Sequence, residues 1–127
     1  MISPTQLDRA ELLHARLTAI AAVVKATAAS NAAKPARPVE ADTTLAILAE
    51  ARVLIAEFGA PSVEPENLGN ATYGDLALLL AVSISDLEFF SSRRMKKRYG
   101  RWDWVVSEPD KADQLVPARA SLSSALG

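Results

Sequence analysis

Apolar side chains recur along this chain mostly at three- and four-residue spacing, and the two-residue alternation of strands is nearly absent. Ala10, Leu13, Leu17, Ile20 and Val24 form one such stripe, as a helix with a single buried face requires. Ser3, Pro4 and Gln6 stand ahead of it as a start signal: the hydroxyl caps, the proline takes the first turn and the glutamine reaches back. The spacing predicts a first helix over about 4–29. At a rise of about 1.5 Å per residue it is roughly 38 Å long, more than a compact domain of this size needs. Its far end, 26–33, is alanine-rich with too little bulk to anchor it, so fraying or contact with another chain is expected there.

Residues 31–41 hold Pro35 and Pro38 and no large apolar side chain before Val39, which makes them a linker of extended character. Asp42 or Thr43 then caps a second helix over about 43–58, carried by Leu45, Leu48, Leu54, Ile55 and Phe58 and stopped by Gly59 and Pro61. Pro61, Pro65 and Gly69 predict an ordered surface loop over 59–72.

Thr72 with Asp75 is a capping-box start for a third helix. Every position over 76–82 is apolar, so burial on nearly all sides is expected and this helix should be the centre of the domain. Ser83 and Ser85 interrupt the run as small residues of the kind found at a tight helix crossing. The helix is expected to run over 73–100 and to end at Gly100. In the tail, Ser107, Pro109 and Asp110 predict a short helix that Pro117 ends, and the last ten residues are expected to need a partner to be ordered. Strand content should be near zero, with 102–106 the one candidate. The fold class predicted is all-α: a small helical bundle of three long helices plus a short C-terminal helix and an extended tail. Residues 1–106 form the bundle domain and 107–127 the short helix and docking tail.

Composition changes this picture little. Half of the residues are hydrophobic and the length is 127, enough for one real core. Fourteen basic against 15 acidic residues leave a net charge of −1, so any electrostatic role must come from uneven distribution. Cysteine is absent, which removes disulfides and thiolate chemistry. No secretory signal is visible, and the uninterrupted apolar runs 19–24 and 76–85 fall short of the roughly 20 residues that span a bilayer. No transmembrane segment is expected, and the chain reads as cytoplasmic or part of a macromolecular assembly such as a virion.

The strong unevenness is at 93–104, where Arg93, Arg94, Lys96, Lys97, Arg98 and Arg101 interleave with Tyr99, Trp102 and Trp104. Such a segment can grip phosphates while its rings stack on bases, rest on an anionic lipid surface, or dock a protein. It also has a purely structural use, since cations complement a helix C-terminus and nearby tryptophans fold back onto a core. Glu11 and His14 have the Glu-x-x-His spacing of carboxylate-bridged metal bundles, but they fall on the polar flank of the first helix and His14 is the only histidine. No metal site is therefore expected. No Gly-x-Ser-x-Gly turn or Gly-rich phosphate loop occurs, and Asp86 and Glu88, two apart, point to different helix faces. No catalytic residue, cofactor or small-molecule substrate is expected. The reading is a non-enzymatic structural or adaptor subunit that meets other protein chains, as a homo-oligomer or in a larger complex, through the basic and aromatic segment and the C-terminal tail. The alternative is a nucleic-acid-binding helical module using the cluster at 93–101.

Overall fold

The computed structural model describes residues 2–59 and 71–127. Of the expected surface loop, residues 60–70 lie outside the described residues. Helix α1 (Pro4–Asn31) opens on the capping box that the sequence marks: Ser3 Oγ accepts from Gln6 N at 3.2 Å, and Gln6 Oε1 accepts from Ser3 N at 3.1 Å. It runs unbroken past Lys25. Taken as a whole helix, rather than as uninterrupted apolar runs, α1 is long and apolar enough by length and composition to cross a membrane. Leu7, Ala10, Leu13, Leu17 and Val24 of α1 are nonetheless packed into the core.

Helix α2 (Pro38–Ala56) starts earlier than Asp42 or Thr43, with Arg37 as its cap residue and Pro38 in the first turn. Proline suits that position because its missing N–H would have no helical acceptor there and its φ is already helical. The linker is correspondingly short, and it is tied down. Gly74 N donates to Ala32 O at 2.9 Å, Tyr73 N to Lys34 O at 3.1 Å and Ala36 N to Ala71 O at 3.0 Å. Gly74 suits this approach, since a β-carbon on it would stand 3.0 Å from Ala32 O, closer than ordinary van der Waals contact.

Helix α3 (Tyr73–Ser92) has its expected capping box, Thr72 Oγ1 accepting from Asp75 N at 3.1 Å and Asp75 Oδ2 from Thr72 N at 3.0 Å. It packs against α1 and α2 through Leu76, Leu80, Leu87 and Phe90. Phe90 meets Phe58 edge-on at 5.0 Å between ring centroids. Burial on nearly all sides is not what the helix shows: Leu78, Val82 and Phe89 are exposed.

The segment beyond Ser92 departs most from the all-helical expectation. Helix α3 ends at Ser92 rather than at Gly100, and the basic segment is a β-hairpin. Strand β1 (Met95–Arg98) pairs antiparallel with β2 (Arg101–Val106), which pairs antiparallel with β3 (Gln114–Pro117). The fold is thus mostly helical, with three long helices as expected, but a three-stranded sheet replaces the all-α architecture. Arg, Lys and Met are good helix formers, yet Trp102, Trp104, Val105 and Val106 favour a pleated surface, and pairing with them overrides the local preference. Gly100 is not a helix stop but a hairpin residue: Tyr99 and Gly100 both have positive φ, 52° and 77°, the mark of a two-residue type I′ turn.

The tail is corrected in the same way. The expected short helix ending at Pro117 is strand β3, and the helix lies beyond it as α4 (Ala120–Leu126), with Leu122 buried in the core. Ile2 bridges to Val106, its N donating to Val105 O at 3.3 Å while its O accepts from Ser107 N at 2.9 Å. The N-terminal segment is therefore packed against the sheet, and the C-terminal helix reaches the same core.

Candidate interaction surface

Strand alternation sorts the basic and aromatic residues onto two faces. Met95, Trp104 and Val106 point to the helices and are buried. Lys97 and Trp102, opposite each other in the register, share that side. Trp104 is 0% exposed, and its Nε1 donates to Glu11 Oε1 at 2.9 Å. Trp102 is half-buried, with its indole nitrogen finding no acceptor among the described residues. Lys97 Nζ donates to Gly127 O at the end of α4. Trp104 is thus closed off from any partner, while part of Trp102 remains accessible.

Arg94 is structural as well. Its guanidinium lies over the rings of Phe90 and Phe58, 4.0 and 4.3 Å from their centroids, and Nη1 donates to Phe90 O at 2.9 Å. Burial first, and the charge of Arg93 second, lower its pKa from the usual arginine value. Arg93 caps the end of α3 and sits over Phe89 at 5.6 Å.

The other face of the hairpin carries Lys96, Arg98 and Arg101, all exposed. In their midst is Asp103, only 1% exposed. Its Oδ2 accepts from Arg98 Nε and Nη2 at 3.2 and 3.1 Å, and its Oδ1 lies 3.6 Å from Arg101 Nε. The carboxylate thus hydrogen-bonds one guanidinium and lies within ion-pair range of the other, cancelling part of their charge, while its Oδ1 has no hydrogen-bond partner among the described residues. Val105, Leu115 and Pro117 continue this face across β2 and β3, and Leu115 and Pro117 are exposed. The result is a patch of three cations, one anion and apolar side chains, not a uniformly cationic surface. At its tip stands Tyr99, 99% exposed.

Of the predicted segment, then, Lys96, Arg98 and Arg101 are brought together on one face with Tyr99 in the turn at its end, while Arg93, Arg94, Lys97, Trp102 and Trp104 are directed elsewhere. Strand β1 is also a sheet edge, and lysine and arginine on an edge oppose unwanted strand pairing, so part of the cluster has a structural use. Compared with known proteins, the chain matches no family model, no curated protein and no solved structure.

Two buried groups are not legible as such in the sequence. Glu11 and His14, which the stripe pattern assigns to a solvated flank of the first helix, are both buried. Glu11 accepts from Trp104 Nε1, accepts from Arg119 N at 3.1 Å through the same oxygen, and pairs with Arg119 Nε at 3.0 Å through the other. His14 Nε2 is hydrogen-bonded with Glu88 Oε1 at 3.0 Å. The two side chains serve different partners, and among the described residues no three His, Cys, Asp or Glu side chains converge as a metal site would need. Nothing in the stripe pattern signals that a sheet will cover that flank; only the oddity of two tryptophans beside an aspartate hints at it.

A concavity of about 300 Å³ opens between α1 and α2 and is lined by Ala19, Ile20, Val23, Val24, Val39, Glu40, Thr43 and Thr44. It is nearly all apolar and brings together no pair of acid and base groups. Its polar lining is one carboxylate and two hydroxyls.

Proposed function

We propose that this chain is a non-enzymatic structural or adaptor subunit that docks an acidic protein surface through the outer face of the β1–β2 hairpin. The observation that carries the reading is Tyr99. A bulky, fully exposed aromatic in a left-handed conformation costs about 1–2 kcal/mol, and asparagine or glycine would fill the turn better. Backbone strain of this kind gathers where a side chain is used. Tyr99 sits in the turn between the paired Arg98 and Arg101, so the ring and the cations are presented together at the end of the hairpin.

A protein partner fits this face better than nucleic acid. Asp103 cancels part of the charge, Leu115 and Pro117 add apolar area, and both tryptophans lie on the opposite side of the hairpin from this face. Aromatic and arginine anchors ringed by polar groups are the composition of protein interface centres. The nucleic-acid reading keeps one support, the three cations beside an exposed tyrosine.

The test places photoreactive benzoylphenylalanine at Leu115, on the same face, in cells that naturally make the chain. The expected product is an adduct destroyed by protease and unaffected by nuclease, and lost on Tyr99→Asn or Lys96→Glu. These two positions are preferred to Arg98 and Arg101, whose replacement would leave Asp103 buried without its partners. A nuclease-sensitive adduct would move the reading to nucleic acid. An adduct indifferent to both substitutions would sink it.

A further inference from the structure

Helix α3 carries a second surface, separate from the hairpin. Asp75, Leu78, Val82, Ser85, Phe89 and Arg93 fall within about 80° of arc on the helix at ~100° per residue. All six are exposed, Leu78 and Phe89 each to 66%. Ala81, also exposed, lies four residues before Ser85. The small residue expected at a tight helix crossing is present, yet the helix that would cross there is not supplied by the described part of this chain. The face runs roughly 27 Å from Asp75 to Arg93 at a ~1.5 Å rise, with its apolar part about 17 Å long from Leu78 to Phe89, and an exposed apolar stripe with no described residue against it is unusual.

The order of residues along the stripe says what covers it. It begins with a carboxylate, ends with a guanidinium and is apolar or small between, with the exposed Asp86 about 20° outside its edge. We propose that it is a self-pairing face: two copies of the chain join antiparallel through α3 about a two-fold axis. In that arrangement Asp75 of each copy faces Arg93 of the other, and Leu78 faces Phe89. Both pairs are centred on position 84 to within about half a residue, so one register satisfies both, as a self-complementary two-fold contact demands. Ala81 and Ser85 then lie near the axis, where small side chains let the helices approach. The antiparallel sense also sets the positive N-terminal end of each helix dipole beside the negative C-terminal end of the other.

The full chain is measured by light scattering over a wide concentration range. The expected result is a mass rising to twice 13.5 kDa, with Phe89→Glu and Leu78→Glu held at the monomer mass. Arg93→Glu should weaken the dimer about tenfold by breaking two symmetric pairs. Val53→Glu, at an exposed apolar position on α2, and Tyr99→Asn, at the hairpin tip, should leave it intact, which separates this surface from the docking reading above. A second measurement does not depend on disrupting the face. The chain has no cysteine, so Ser85→Cys introduces a single thiol next to the axis and should give a disulfide-linked dimer on mild oxidation, while Ala49→Cys on α2 should not. A monomer at every concentration, a dimer that survives Phe89→Glu and Leu78→Glu, or linkage through position 49 in place of 85 would each overturn the proposal.

Discussion

Glu11 offers the most direct test of how sheet and helices are joined. The carboxylate is buried in α1, takes the Trp104 indole hydrogen bond at 2.9 Å and receives both the main-chain N–H and the guanidinium of Arg119. Glu11→Ala removes every one of these acceptors and strands the Trp104 N–H inside the protein. An unsatisfied buried donor costs about 1–3 kcal/mol, and the void left by the side chain adds to it, so a loss of about 3 kcal/mol is expected. Glu11→Gln keeps an oxygen for Trp104 and for Arg119 N and forfeits only the ion pair. That pair is discounted because the Arg119 side chain is 66% exposed, and half-solvated pairs are worth about 0–1 kcal/mol. The two variants should therefore differ by about 2 kcal/mol. In urea unfolding followed by tryptophan emission, with a slope of about 2 kcal/mol per molar, the difference is a midpoint shift of about 1 M. Equal midpoints for the alanine and glutamine variants would show that the indole bond is not what seats the sheet on α1.

The geometry sets three further outcomes. At the hairpin turn, Tyr99→Asn should raise stability by up to about 1 kcal/mol and Gly100→Ala should lower it by about 1 kcal/mol, because only the first relieves a left-handed residue; thermal melts that move together would contradict the turn assignment. Gly74→Ala would ordinarily gain about 1 kcal/mol inside a helix, but the 3.0 Å approach of Ala32 O should turn the gain into a loss, and a raised melting temperature would refute the close contact. Glu57, hydrogen-bonded by Arg9 at 2.9 Å, has its pKa held below the ordinary 4.5, chiefly by that bond. A depressed folded-state value stabilises the fold above the unfolded pKa, and the contribution is lost as pH falls through the folded one. Arg9→Ala should return the Glu57 titration, followed by carboxyl carbon shifts, toward 4.5; an unmoved titration would show that Arg9 is not the cause.

Local signals are legible where chemistry acts within a few residues. Both capping boxes form at the positions their side chains mark, and the stripe from Ala10 to Val24 marks the buried side of α1, with Ile20 only partly covered. Pro38, by its sequence setting a barrier to helix, is the first residue of α2; the ambiguity is inherent in a residue that both stops one helix and starts the next. The candidate surface is legible as a segment but not as a face. Six cations on a helix end would have surrounded it; on a two-stranded ribbon they divide, and Asp103 organises those that remain outside.

The amino-acid sequence by itself determined three long helices, a single core and the segment where charge and aromatics gather, because periodicity, caps and composition are properties of neighbouring residues. Tertiary structure alone decided that residues 95–117 form a sheet, that Glu11 and His14 are buried, and that Tyr99 stands free while Trp104 does not. Those outcomes depend on partners such as Trp104 with Glu11, or Arg119 with Glu11, that lie some hundred positions apart in the chain. No local preference records such a pairing. It is settled only when the apolar face of the hairpin finds the helices that cover it.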